Sequence, residues 1–227
     1  MKASNLEYRD GMFGWFRKNK QNPNIQAVEY PQFDTSLFSE SDEILFAGLA
    51  RHWAEYDSRV YEARDRSSVS SRRSEPFDHS NSSETRRRVD AFEQSNSLAL
   101  PSDFKAYLIF ACPQRTYWDH IGTQWWALDE IKSVAEECPD WPPKHLGLEV
   151  KQEPDQYLVF ADFLIWCYAW AICCSNSENR GKVAIVGSGH NCIVAGSFRE
   201  FLVLELADSL EIHGQVVHST QSSPISR

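Results

Sequence analysis

The segment 157–174 reads YLVFADFLIWCYAWAICC, and it decides the fold. Its β-branched and aromatic residues favour strands, and we predict two buried strands, Tyr157–Ala161 and Leu164–Cys173. Both faces of the second strand are largely apolar, which is typical of a central strand covered on both sides. A membrane-spanning helix is the alternative interpretation, but Asp162 and the lack of a flanking Lys/Arg cluster argue against it. We therefore expect no membrane partner.

Sequence signals on either side of this segment predict further helices and strands. Pro101 suits the first position of a helix, and Ser102 and Asp103 suit its first turn. Ser197 and Glu200 match a capping box that starts a final helix. The remaining predicted elements are a strand–turn–strand over 117–128, a short helix over 129–137, and a hairpin of 182–186 with 191–195. The short turns between strands predict an α+β fold with flanking helices and a mostly antiparallel sheet of about six strands.

The N-terminal part differs in composition from the rest of the chain. Apolar residues recur at helical spacing over 42–66, which predicts an amphipathic helix within an N-terminal extension of residues 1–66. Residues 67–85 are rich in Ser and Arg and predict a linker. We therefore expect the main domain over 86–210 and a polar tail over 211–227.

Charge is distributed unevenly along the chain, whose formal net charge is −9. Residues 1–97 hold 14 Lys/Arg and 16 Asp/Glu, a net of −2, whereas residues 98–227 hold 9 and 16, a net of −7. Phosphate binding needs clustered cations, so this balance predicts no nucleic-acid partner. An acidic domain is better suited to a basic protein partner.

The cysteines and the start of the chain indicate a compartment. Most of the six cysteines lie in apolar runs, and Met1-Lys2 leads into a polar stretch instead of the apolar core of a secretory signal. We therefore expect reduced, buried cysteines and a cytoplasmic location.

Residues that carry chemistry do not form a catalytic or metal motif in the sequence. Cys173–Cys174 are adjacent, which directs their side chains to opposite faces of a strand, and they lack the spacing of zinc ligands. A hairpin turn explains Gly187-Ser188-Gly189, which lacks the lysine of a phosphate loop. Three groups are candidate acids or bases, with a surface position or turn hydrogen bonding as the structural alternative: His120, Asp162 and His190. We expect no catalytic residue, no metal and no cofactor.

Five motifs in a fixed order carry a resemblance to a known family. They are Phe92-Glu93, Leu100–Lys105 (LPSDFK), Gly122–Val134, Val159–Trp166 and Ala195–Leu202 (AGSFREFL). In this order, over residues 86–210, the chain resembles the Smi1/Knr4 family of the SUKH superfamily. The resemblance implies a mixed α+β sheet with flanking helices. It also implies a bacterial immunity protein, which binds and neutralises a cognate toxin such as a nuclease, or a regulatory scaffold like the fungal relatives.

Aromatic and acidic residues cluster over residues 117–140, which contain the predicted strand–turn–strand and the short helix that follows it. We call the following set the predicted binding surface: Tyr117, Trp118, Asp119, Trp125, Asp129, Glu130, Glu136, Glu137 and Asp140. Aromatic anchors beside acidic groups are typical of a protein-binding hot spot for a basic partner. Core packing of the aromatic rings and a solvated acidic face are the alternatives. In a regulatory scaffold, the helix 42–66 and the linker would recruit the partner instead.

Overall fold

The computed structural model describes residues 30–64, 77, 82–140, 146–187 and 191–214, with side chains to residue 60 in the first range. The chain divides into two compact units, residues 1–32 with 55–73 and residues 33–54 with 74–227. In the smaller unit, the rings of Tyr30 and Tyr56 meet edge-on at 4.7 Å, and Arg59 forms an ion pair with Glu55. The larger unit contains the sheet.

Six α-helices occur in the described residues: α1 (Asp42–Arg64), α2 (Ser82–Asn96), α3 (Ser102–Phe110), α4 (Val134–Glu137), α5 (Leu148–Gln152) and α6 (Phe198–Leu206). Side-chain caps start two of them, because Ser133 Oγ accepts from the Glu136 amide and Ser197 Oγ accepts from the Glu200 amide. The Ser197 cap confirms the predicted start of the last helix. The second half of the predicted capping box differs, because Glu200 accepts from the amide of Gly196 instead of that of Ser197.

In the described part of the chain, seven strands form one antiparallel sheet: β1 (Tyr117–Trp118), β2 (Thr123–Trp125), β3 (Lys132–Ser133), β4 (Tyr157–Phe163), β5 (Tyr168–Cys173), β6 (Val183–Val186) and β7 (Ile193–Ala195). The order is β1-β2-β4-β5-β6-β7, and β3 pairs with β4 beside β2. The α+β class and the antiparallel pairing are confirmed, with seven strands in place of about six. Both edge strands are short, which limits unwanted pairing with other chains.

Aromatic rings join the helices to one face of the sheet. Phe160 of β4 packs against Phe201 of α6 at 5.3 Å between ring centroids, and Trp125 of β2 packs against Tyr107 of α3 at 6.0 Å. The residues of β4 and β5 that face the opposite side are also buried, and the short helix α4 contacts β4. Apolar cover on both faces explains why β4 and β5 read as nearly continuous apolar runs.

The first half of α1 belongs to this same core. Leu45, Phe46, Leu49 and Trp53 are buried in one cluster with the sheet, and the Trp53 ring lies 4.8 Å from that of Trp125. The structure therefore differs from the predicted division, in which this helix belonged to an extension outside the main domain. The apolar stripe of the helix is the physical reason, because it must be covered and the sheet covers it.

Several predicted boundaries differ from the structure. The strand predicted from Leu164 begins at Tyr168, because a tight turn occupies the intervening residues. The helix predicted over 129–137 is a 3₁₀ turn at Leu128–Glu130, then β3, then α4. The predicted linker ends sooner, since α2 begins at Ser82. The last two residues of the predicted helix 42–66, most of the linker and the tail beyond residue 214 lie outside the described residues.

Among the helices that the structure describes, none is long and apolar enough to cross a membrane. The segment that prompted the membrane alternative is instead the β4–β5 hairpin.

Candidate functional site

The aromatic residues of the predicted binding surface separate into buried and exposed ones. Tyr117 and Trp125 are buried in the core, where both rings contact Trp53. Trp118 points the other way because successive strand residues face opposite sides, and 42% of its surface is exposed. Of this aromatic set, Trp118 is therefore the ring that a partner can reach.

The acidic residues of the predicted binding surface are mostly exposed, and two of them have intramolecular partners that reduce local charge. Asp129 forms an ion pair with Arg88 of α2 at 2.8 Å. Glu137 lies 3.4 Å from the amine of Lys132. The Arg88–Asp129 pair is exposed and contributes little to stability, so the Asp129 carboxylate stays available to a partner that brings its own cations, whereas Glu137 is only partly exposed. Asp140 is also exposed.

Two other acidic residues of the same surface hold the local backbone. Glu130 accepts from the amide of Ala127 at 3.1 Å and contacts the hydroxyl of Thr116. Glu136 accepts from the amide of Ser133 at 3.1 Å and completes the capping box of α4. These two carboxylates are exposed and also stabilise the local backbone. The sequence pattern did not distinguish such structural carboxylates from those that only face solvent.

Asp119 fixes the turn between β1 and β2. Its Oδ1 atom accepts from the amides of Ile121, Gly122 and Thr123 at 3.0, 3.0 and 2.9 Å. Its Oδ2 atom accepts from the indole Nε1 of Trp125 at 3.0 Å. Four donors on one side chain favour the ionised carboxylate. Asp119, predicted as part of the binding surface, therefore organises the turn beside Trp118.

A buried glutamate faces this aspartate. Glu205 of α6 is 4% exposed, and its side chain hydrogen-bonds with that of Asp119. Burial, and then the charge of Asp119, raise the pKa of Glu205 well above its ordinary range. Burial also raises the pKa of Asp119. Because two adjacent carboxylates in a buried site disfavour double ionisation, the pair shares one proton, which we place on Glu205.

His120 lies next to this pair and points outward. Partial burial lowers the pKa of its imidazole, while the charges of Asp119 and Asp208 oppose that shift. Two carboxyl groups and an imidazole therefore lie close enough to influence one another's pKa. Both oxygens of Asp119 already accept hydrogen bonds from the chain, so the assembly stabilises the turn and leaves little capacity to bind another group.

Asp162, a candidate acid in the sequence, is buried and bonded on both oxygens. One accepts from the indole Nε1 of Trp126 at 2.8 Å and the other from the amide of Trp166 at 2.9 Å. The predicted turn hydrogen bonding of Asp162 is confirmed. A further candidate, His190, lies outside the described residues, as does Ser188 of the predicted hairpin turn.

The turn between β4 and β5 has an unusual backbone that the sequence analysis missed. Leu164, Ile165 and Trp166 have φ angles of 47°, 56° and 63°, which place three successive non-glycine residues in the left-handed region. Each such residue costs roughly 1–2 kcal/mol. Ile165 is 80% exposed at the tip. The one available signal was Asp162, a carboxylate inside an apolar run, four residues before the amide that it accepts from.

Residues of the family-like motifs hold neighbouring elements together. Glu93 accepts from the amide of Leu100 at 2.8 Å and pairs with Lys105. From the other side, Arg180 donates to the carbonyl of Leu100 at 3.1 Å. The segment before α3 is therefore fixed by two charged side chains from separate parts of the chain.

Arg199, inside the last motif, connects α6 to the start of α1. Its guanidinium pairs with Asp42 and donates to the carbonyls of Phe38 and Glu40. Its amide donates to Asp103 of α3 at 3.0 Å. One residue thereby joins three helical segments of the larger unit.

The thiols of the chain are mostly inaccessible. Burial raises the pKa of Cys112 and of Cys174 to about 12, which keeps both thiols protonated at neutral pH. Cys167 and Cys192 are exposed. In the described part of the chain, no group of three or more His, Cys, Asp or Glu side chains is arranged to hold a metal ion.

A shallow groove lies along the first half of α1, with a volume of about 430 Å³. It is lined by Glu43, Ile44, Ala47, Ala50, Arg51, Ala54 and Phe77. The Phe77 ring belongs to this lining and packs against Trp53 at 5.5 Å between ring centroids.

Comparison of the chain with protein-family models, curated proteins and solved structures gave no match.

Proposed function

We propose that this chain is a non-enzymatic, cytoplasmic protein-binding module of the Smi1/Knr4 type that neutralises a cognate toxin by covering its functional surface. The observation that carries the proposal is the placement of the family-like motifs in one folding unit. Leu100 is bonded by Glu93 and Arg180, and the Ser197 motif supplies the cap of α6. These motifs build a framework, and binding specificity is left to the surface around them.

The surface next to that framework supports a basic protein partner. Residues 98–227 carry a net charge of −7. Trp118 is exposed beside the turn that Asp119 organises, and Asp129 and Asp140 are exposed in the following segment. An aromatic anchor among carboxylates provides contact area together with electrostatic attraction, which speeds association with a cationic partner.

Co-expression with the product of the neighbouring gene tests the proposal. We expect the full chain to rescue growth from that toxin and to form a complex with the purified toxin, which weakens as salt rises. Trp118→Ala should weaken the complex, whereas Leu148→Ala, which removes an apolar side chain exposed elsewhere on the fold, should not. Failure of both rescue and complex formation would refute the proposal.

A regulatory scaffold is the second candidate, and the groove along α1 favours it. Ile44 is an exposed apolar residue on its rim. Deleting α1 would not test this function, because the helix supplies core residues. Ile44→Asp leaves the core intact and is the appropriate variant. A scaffold should lose its partner with this substitution and keep it with Trp118→Ala, whereas the toxin-binding module should show the reverse.

A further inference from the structure

The β4–β5 turn contains a residue whose identity the fold does not require. A β-branched side chain in the left-handed region is a genuine outlier, and glycine adopts this conformation without strain. Ile165 is nevertheless at this position with φ of 56° and a side chain that is 80% exposed. The side chain gains little from the core, so packing inside the chain does not account for it. Strained residues of this kind concentrate at functional sites.

The turn is rigid as well as strained, because hydrogen bonds hold it on both sides of Ile165. The amide of Leu164 donates to the carbonyl of Gly122 at 3.1 Å, and the amide of Cys167 donates to Phe163 at 2.9 Å. The amide of Trp166 donates to buried Asp162 at 2.9 Å. A side chain presented on a fixed backbone loses little entropy on binding.

The rigid turn lies beside the other feature that a partner can reach. The bond between Leu164 and Gly122 connects the β4–β5 turn to the β1–β2 turn, which follows Trp118 directly. Gly122 has φ of 102°, and a Cβ atom there would lie 2.6 Å from Leu164 Cδ2, so the two turns pack closely. His120 of the β1–β2 turn also lies near the carboxylates of Asp119 and Asp208.

We propose that Ile165 is the apolar anchor of the binding site and inserts into an apolar cleft of the partner protein. This inference rests on the proposed function and specifies how the partner is recognised. The partner is a folded protein with a concave apolar pocket bordered by basic groups, because the projecting residue is apolar and the surrounding half of the chain has a net charge of −7. A rigid projection in a cleft is also an effective way to cover a functional surface.

Two substitutions separate anchoring from folding. Ile165→Gly removes the side chain and relieves the strain, so the midpoint of thermal unfolding should rise by about 2–4 °C. Ile165→Ala removes the side chain and keeps the left-handed backbone strained. Both variants should bind the purified product of the neighbouring gene at least about tenfold more weakly than wild type by calorimetry, as expected for a buried anchor. Leu148→Ala should bind like wild type.

The possible outcomes are distinguishable. Wild-type affinity in Ile165→Gly would overturn the anchor and leave the proposed function intact. A lower unfolding midpoint in Ile165→Gly would overturn the strain argument on which the anchor depends. Absence of a wild-type complex would refute the proposed function and the anchor with it. If the substitutions only convert a dimer of this chain into monomers, Ile165 contacts a second copy and the inference is wrong.

Discussion

The carboxyl pair of Glu205 and Asp119 makes the stability of the fold depend on pH. A raised pKa means that the folded chain keeps a proton on Glu205 that the unfolded chain releases. The stabilising contribution is therefore complete below the ordinary glutamate value of 4.5 and is lost as pH rises through the folded value. Glu205→Gln removes this titration, and its amide group can still donate to the carboxylate of Asp119.

The size of the effect follows from the release of one proton. Within the window between the ordinary and the raised pKa, the free energy of unfolding falls by about 1.4 kcal/mol for each pH unit. We expect the unfolding free energy of wild type to fall relative to that of Glu205→Gln as pH rises above 4.5, by up to this amount for each pH unit. The lowered pKa of His120 produces the opposite slope, and it cancels in the difference because both proteins contain it.

Urea denaturation of the full chain at pH 5.5, 6.0 and 6.5 measures this difference. Glu211→Gln is a matched control, because it makes the same chemical change at an exposed glutamate on a neighbouring segment. The control should keep the wild-type pH dependence. Parallel pH profiles for wild type and Glu205→Gln would contradict the reasoning, since they would mean that Glu205 is ionised in the folded chain.

Three other substitutions test the contacts that join the framework. Arg199→Ala removes the ion pair with Asp42 and the hydrogen bonds to two backbone carbonyls, and it should lower the unfolding free energy by about 2–3 kcal/mol in urea. Arg199→Lys should recover part of the lost stability. Glu93→Gln keeps an acceptor for Leu100 and should cost about 1 kcal/mol, less than Glu93→Ala. Asp162→Asn should cost about 1–3 kcal/mol, because its amide cannot accept at both positions. Wild-type stability in any of these would show that the contact contributes nothing.

The strands and caps were predictable because their signals are local. The apolar residues of β4 and β5 identified central strands, and Ser197 identified the start of α6. In each case the decisive information lies within a few residues: composition for a strand covered on both faces, and one hydroxyl for a helix cap.

The β4–β5 turn was not predictable from its own residues. Leu164 and Ile165 favour strand continuation and contain none of the usual turn chemistry. The backbone is held by Asp162, which accepts forward along the chain, and by Gly122 in another hairpin. A tertiary contact therefore overrides the local preference for a strand. The alternation of side chains with a period of two residues had predicted a strand that continues through the turn.

Residues distant in the chain also decide which members of the predicted binding surface are buried and which are exposed. Alternation along β1 implies that Tyr117 and Trp118 face opposite sides, but it does not say which side is covered. Trp53 of α1 decides this by contacting Tyr117. The pairing of Asp119 with Glu205 joins positions far apart in the chain. Glu205 lies in a leucine-rich helix, where a carboxylate is expected to face solvent.

The contact between Arg199 and Asp42 has a consequence for synthesis. The two residues are separated by 157 positions, and the ring of Phe46 meets that of Phe198 across a similar separation. During translation, the apolar stripe of α1 emerges long before the residues that cover it. Closing such long loops slows folding, and the uncovered stripe is a site for aggregation or for a chaperone. Emergence of α6, not the emergence of α1, should therefore set the onset of stable folding.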